Sequence, residues 1–163
     1  MQDINLATLN KLQREVHSQS ENRANEIMAA LDKLEASIFN DLKVDENCTY
    51  FPIEIFLSKH PTSKISHEDF FVEEREYEFT LSLFLEEPNF PCRSLGKHSR
   101  YSYMFYVRYT SNGEVQYRIE GLNNEEWIDH ETHFSELILQ SMVDTLNKKL
   151  NSNQGVTSNK KIA

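Results

Sequence analysis

A chain of 163 residues is long enough to bury one hydrophobic core, and its length sets the expectation of a single domain. A formal net charge of −9 opposes non-specific nucleic-acid binding, which needs a positive field to displace counterions. Two cysteines, Cys48 and Cys92, are too few for a disulfide scaffold and form no CxxC pair, while no apolar run reaches membrane-spanning length or follows Met1-Gln2-Asp3 as a leader would.

These limits point to a soluble cytoplasmic protein. The charge is uneven along the chain. Residues 1–67 carry 10 acidic and 7 basic side chains, residues 68–144 carry 16 and 6, and residues 145–163 carry 4 lysines and no acid. An acidic body suits solubility, and it also suits a partner with a basic surface.

Residues 3 to about 43 contain no Gly or Pro and have a helical pattern. Leu9, Leu12 and Val16 fall at heptad-like spacing, as do Ala24, Ile27, Leu31, Leu34 and Ile38, but the two sets are out of heptad register. Ser18 and Glu21 have capping-box spacing between them. The segment reads either as two helices broken near Ser18–Asn22 or as one long helix whose buried stripe shifts there. Packing on the protein's own sheet is expected of the second set, and self-association, giving a homo-oligomer, is a further reading of the first.

After Asp45-Glu46-Asn47, residues Thr49–Leu57 read as a strand with Phe51, Ile53, Ile55 and Leu57 on one side. Pro52 lacks a ladder donor, which assigns this strand to a sheet edge. A polar loop over Ser58–His67 leads to a longer strand from about Glu74 to Leu85, with Tyr77, Phe79, Leu81, Leu83 and Leu85 alternating against Glu76, Glu78, Thr80 and Ser82. Pro88-Asn89-Phe90-Pro91 ends it, and Cys92–Ser99 connects onward.

Arg100–Glu120 reads as a hairpin. Tyr101, Tyr103, Phe105, Val107, Tyr109, Val115, Tyr117 and Ile119 share one face, and Ser111-Asn112-Gly113 forms the turn. A two-residue loop would set core residues opposite solvent residues. A three-residue loop closed by Thr110 and Glu114 pairs Tyr109 with Val115, Val107 with Tyr117 and Phe105 with Ile119, with Gly113 in the left-handed position.

Beyond Gly121, with Asn123 or Asp129 as a cap, Phe134, Leu137, Ile138, Met142, Val143, Leu146 and Leu150 form a wide apolar helical arc. The polar residues 151–163 read as a disordered tail on a domain spanning 1–150. The fold class expected is α+β: an N-terminal helical segment, a four-stranded antiparallel meander, and a C-terminal helix on one sheet face.

Chemistry-bearing patterns are sparse. His130 and His133 with Asp129 and Glu136 could ligate a divalent metal if they shared a helix face, giving a metal-dependent enzyme. The pattern is not HExxH, and acids at a helix start are also explained by the helix dipole. No GxSxG elbow or glycine-rich phosphate loop occurs, so no catalytic residue and no cofactor is assigned.

The polar face of the hairpin offers Tyr106, Arg108, Arg118 and Met104 as a binding surface for a nucleic acid or a partner protein. Alternatively, Glu76 and Glu78 on the neighbouring strand neutralise those arginines. The reading that follows is a non-enzymatic protein-interaction or regulatory domain. A sharper version is an inhibitor presenting its acidic surface to a nucleic-acid-binding protein, prompted by the carboxylates of Glu68–Glu87 and Glu125–Glu136.

Overall fold

The computed structural model describes residues 4–44, 48, 50–86 and 98–162. Asp3, Asp45-Glu46-Asn47, Thr49, Pro88–Pro91 and Cys92 lie outside the described residues.

Helix α1 spans Leu6–Asp41 without interruption, and at 1.5 Å rise per residue it is about 54 Å long. Asn5 caps it, its side chain accepting the Thr8 amide at 2.9 Å. No break occurs near Ser18–Asn22. The two apolar sets disagree by heptad counting, but at 3.6 residues per turn Leu9, Leu12, Val16, Ser20, Ala24, Ile27, Leu31, Leu34 and Ile38 lie on one face of a straight helix. Ser20 occupies the middle of that stripe and bonds back to the Val16 carbonyl at 3.0 Å, so the backbone continues through it.

Only the second half of this stripe is buried, by Ala24, Ile27, Ala30, Leu31, Leu34 and Ile38. In the first half Leu6 is 73% exposed, Leu9 51%, Leu12 50% and Val16 56%.

Four strands follow: β1 (Ile53–Leu57), β2 (Tyr77–Glu86), β3 (His98–Tyr109) and β4 (Val115–Ile119). They form one antiparallel meander in the order β1-β2-β3-β4. A short 3-10 turn, His67–Phe70, precedes β2 and packs on α1, where the Arg23 side chain donates to the carbonyls of Phe70 and Phe71.

The β3–β4 register is the one set by a three-residue loop, with Phe105 opposite Ile119, Val107 opposite Tyr117 and Tyr109 opposite Val115. The Thr110 amide donates to the Glu114 carbonyl at 2.8 Å, and Gly113 has φ 79. A β-carbon there would sit in a conformation that costs an L-residue about 1–2 kcal/mol.

Strand β1 departs from its expected extent. It begins at Ile53, and Phe51 is 57% exposed, stacked on Phe39 of α1 at 5.6 Å. Pro52, with no amide hydrogen, contributes only its carbonyl, which accepts from the Phe84 amide. As expected from that proline, β1 is an edge strand.

The odd-numbered positions of the strands form the core face. Tyr77, Phe79, Leu81, Leu83, Phe105, Val107, Tyr117 and Ile119 are buried, with Tyr101, Tyr103, Tyr109 and Val115 partly so. Helix α2, Glu131–Ile162, covers part of this face through Phe134, Ile138 and Met142. Its arc is narrower than expected, since Val143 and Leu150 are half exposed. Its backbone runs on through the residues read as a tail.

Aromatic rings link the layers. Tyr117 stacks on Phe134 at 5.1 Å, Phe134 meets Phe105 at 5.6 Å, Phe105 stacks on Phe79 at 5.4 Å, and Phe79 reaches Phe70 at 6.1 Å. The buried Ser135 hydroxyl donates to the Asp41 carboxylate at 2.7 Å, tying the start of α2 to the end of α1.

Substituting Gly113→Ala is expected to lower stability by about 1–2 kcal/mol in urea titrations, and Gly113→Asn by less, because asparagine tolerates the left-handed region. Equal stability of all three proteins would contradict the assigned turn.

Candidate functional site

The helices cover the odd-numbered face of the sheet, which leaves the even-numbered face open. On it Tyr106, Arg108 and Met104 come from β3 and Arg118 from β4, as the alternation requires. Met104 is 39% exposed.

Arg118 is largely enclosed. Its Nη2 is 2.8 Å from Glu76 Oε2 and its Nη1 is 3.4 Å from Glu125 Oε2. Its guanidinium also lies 4.4 Å from the Tyr106 ring centre and 5.3 Å from that of Trp127. Arg108 lies 4.2 Å over the same indole and donates from Nε to Gln116 Oε1 at 2.7 Å. The neutralised arrangement is thus the one observed for Arg118, with Glu76 as a partner.

Sequence reading missed Trp127 as the platform shared by both arginines. It approaches from the connection after β4, which contains an unusual turn, Asn123–Glu125, with all three residues at positive φ. That turn brings the Glu125 side chain to Arg118 and to the Gly121 amide, both at 3.4 Å. Only the presence of a single tryptophan beside the acids hinted at it.

Partial burial, followed by the Glu120 and Glu78 carboxylates, raises the Tyr106 hydroxyl above its ordinary pKa. Chemically the cluster is a stacked, charge-paired assembly of aromatic rings and arginines, residue types that recur at protein contacts.

A second site of the same face lies toward β1. Arg100 donates to the Ser82 hydroxyl at 3.0 Å, and its guanidinium sits 5.6 Å from Phe56 and 5.9 Å from Phe84. The open face is therefore mixed in sign and partly apolar.

The histidine cluster does not assemble as drawn from the sequence. Helix α2 begins at Glu131, so Asp129 and His130 precede its first turn and the spacing of a shared helix face does not apply to them. His130, His133, Asp129 and Glu136 are all exposed, and Glu131 accepts the buried Tyr117 hydroxyl at 3.2 Å. Burial, together with that carboxylate, raises the Tyr117 pKa. Among the described residues no three His, Cys, Asp or Glu side chains are gathered for a metal ion. Among them, too, no helix is long and apolar enough to cross a membrane.

Replacing Arg118 with alanine should cost about 1–2 kcal/mol of folding stability, because Glu76 and two rings lose their partner. Lysine should restore less than half of that loss, since an ammonium cannot reproduce the planar fork and stack. Chemical denaturation measures both, and an unchanged midpoint for the alanine variant would contradict the enclosed role.

Family models, curated proteins and solved structures yield no match to this chain, so its surfaces carry the functional reading.

Proposed function

We propose that this domain is a non-catalytic protein-interaction module that associates with a second copy through the first half of α1. One observation carries the reading: Leu6, Leu9, Leu12 and Val16 are each at least half exposed and continue the stripe that α1 buries in its second half. From Ile4 to Gln19 every residue but Thr8 is exposed, and among the described residues the ring contact of His17 with Phe71 lies at the base of this length of helix. Helices of about 12–15 residues without tertiary packing are marginal in water, and an apolar stripe on one is a contact waiting for a partner.

Near its base the surface is extended by Phe71 and Val72, 36% and 69% exposed, with Phe71 edge-on to His17 at 5.7 Å. A copy of the same helix fits the charge distribution. Lys11, Arg14 and Arg23 slightly outweigh Glu15 and Glu21 on this segment, whereas residues 68–144 hold 16 acids against 6 bases. Two such bodies repel if brought face to face, and pairing through the near-neutral helices keeps them apart. A short heptad-like seam is also the geometry in which one helix packs on an identical one.

The alternatives have less support. A metal-dependent enzyme centred on His130 and His133 lacks a converging third ligand among the described residues. A nucleic-acid surface at Arg108 and Arg118 would have to break the contacts of Arg118 with Glu76 and Glu125 and work against the net charge. An acidic inhibitor would present carboxylates of which Glu74, Glu76 and Glu125 are already paired with Lys59 and Arg118.

Light scattering coupled to size exclusion tests the association. The unaltered protein is expected as a dimer or higher oligomer at micromolar concentration. A Leu9→Glu, Leu12→Glu, Val16→Glu variant is expected as a monomer with stability changed by no more than about 0.5 kcal/mol per site, because the positions are exposed. A monomeric unaltered protein, or a variant that stays associated, would overturn the reading.

A further inference from the structure

The two edges of the sheet are treated differently. On β4 the outward Tyr117 amide and carbonyl are both closed by Ile128, at 2.8 Å each way. On β1 the ladder to β2 uses the even-numbered residues, as the Pro52 carbonyl to Phe84 and the Ser58 amide to Glu78 show. The backbone groups of Ile53 and Ile55 therefore point away from the sheet. Among the described residues neither has a backbone partner on that side, whereas the Leu57 carbonyl is taken by the His60 amide.

That open edge borders a groove of about 370 Å³ between β1, α1 and residues 61–65. This volume falls in the range of about 300–1,000 Å³ typical of ligand clefts. Met28 and Leu31 of α1 and Ile65 form its apolar part.

The groove is also acidic. Asp32, Glu35 and Glu54 line it, and among the described residues none of them forms an ion pair. Lys64 is the lining cation, and it is joined to none of the three. Burial, followed by the neighbouring Asp32 carboxylate, raises the Glu35 pKa, and a cation placed beside the two carboxylates would offset their mutual repulsion.

From these features we infer that the β1 edge is a docking site for an extended peptide segment of a partner protein, alternating basic and apolar residues and adding to the sheet as a fifth strand. Backbone bonds to Ile53 and Ile55 supply the affinity common to any such strand. The basic side chains face α1, laying their stems on Met28 and Leu31 and reaching Asp32 and Glu35, and the apolar ones lie on the opposite face beside Phe56. A second copy of β1 is a poor occupant, because pairing two of these edges brings the same acids together. The site is distinct from the α1 stripe and stands independently of self-association.

The probe is a blocked peptide of alternating valine and lysine, titrated into the full chain carrying Leu9→Glu, Leu12→Glu and Val16→Glu as well as the unaltered chain. Binding is expected in both, with amide shifts in nuclear magnetic resonance confined to β1 and the facing turn of α1. A combined Asp32→Asn, Glu35→Gln change should weaken it about fivefold or more. A peptide N-methylated at the inward-facing amides should lose binding with no change to the protein. Equal binding of the methylated peptide, equal binding of a glutamate-for-lysine peptide, or β1 shifts that follow protein concentration and not peptide would each overturn the inference. Loss of self-association alone would leave it standing.

Discussion

The chain of rings Tyr117, Phe134, Phe105, Phe79 and Phe70 is the interaction on which the remaining structure depends. It joins β4 to α2, α2 to β3, β3 to β2, and β2 to the 3-10 turn against which Arg23 of α1 bonds. Each ring is an odd-numbered strand residue or the first buried residue of a covering element. Edge-to-face and offset contacts of this kind add to the burial of large apolar area, so they decide which face of the sheet the helices occupy. Once that face is taken, three surfaces remain open among the described residues: the even-numbered sheet face, the β1 edge, and the half of α1 that runs past the core.

Those three surfaces differ in how far the molecule has already satisfied them. On the sheet face Arg118 is held by two carboxylates and two rings, and Arg100 sits beside two phenylalanines and a buried serine. These groups act mainly within the fold. The α1 stripe and the β1 edge have less closure: Leu6, Leu9, Leu12 and Val16 are at least half exposed, and among the described residues Ile53 and Ile55 have no backbone partner on the outer side. The functional proposals rest on that difference.

Much of the fold was legible because alternation in β2, β3 and β4 is strict and the turn at Gly113 fixes its register. A slip of one residue would have exposed Phe105, Val107, Tyr117 and Ile119 together. The first helix was harder. Leu9, Leu12 and Val16 have the spacing of a core stripe, and nothing local separates a stripe that is buried from one that lies past the end of the sheet. Heptad counting also suggested a shift at Ser18–Asn22, where a helix of 3.6 residues per turn has none. The arginine cluster was half legible: alternation placed Tyr106, Arg108 and Arg118 together, but Trp127 arrives through a turn of three left-handed residues that no simple pattern signals. The histidine reading depended on where the second helix begins: with α2 starting at Glu131, helical spacing relates His133 to Glu136 and no longer places Asp129 and His130 on their face.

The account stands or falls on whether the first half of α1 is completed by association. Hydrogen–deuterium exchange of the full chain, followed at low and high protein concentration, tests this at the backbone itself. Amides from Leu9 to Ser20 are predicted to exchange rapidly in dilute protein and to become protected as concentration rises, while those of β2 and β3 stay unchanged. Exchange over Leu9–Ser20 that is equally fast at every concentration would contradict the account.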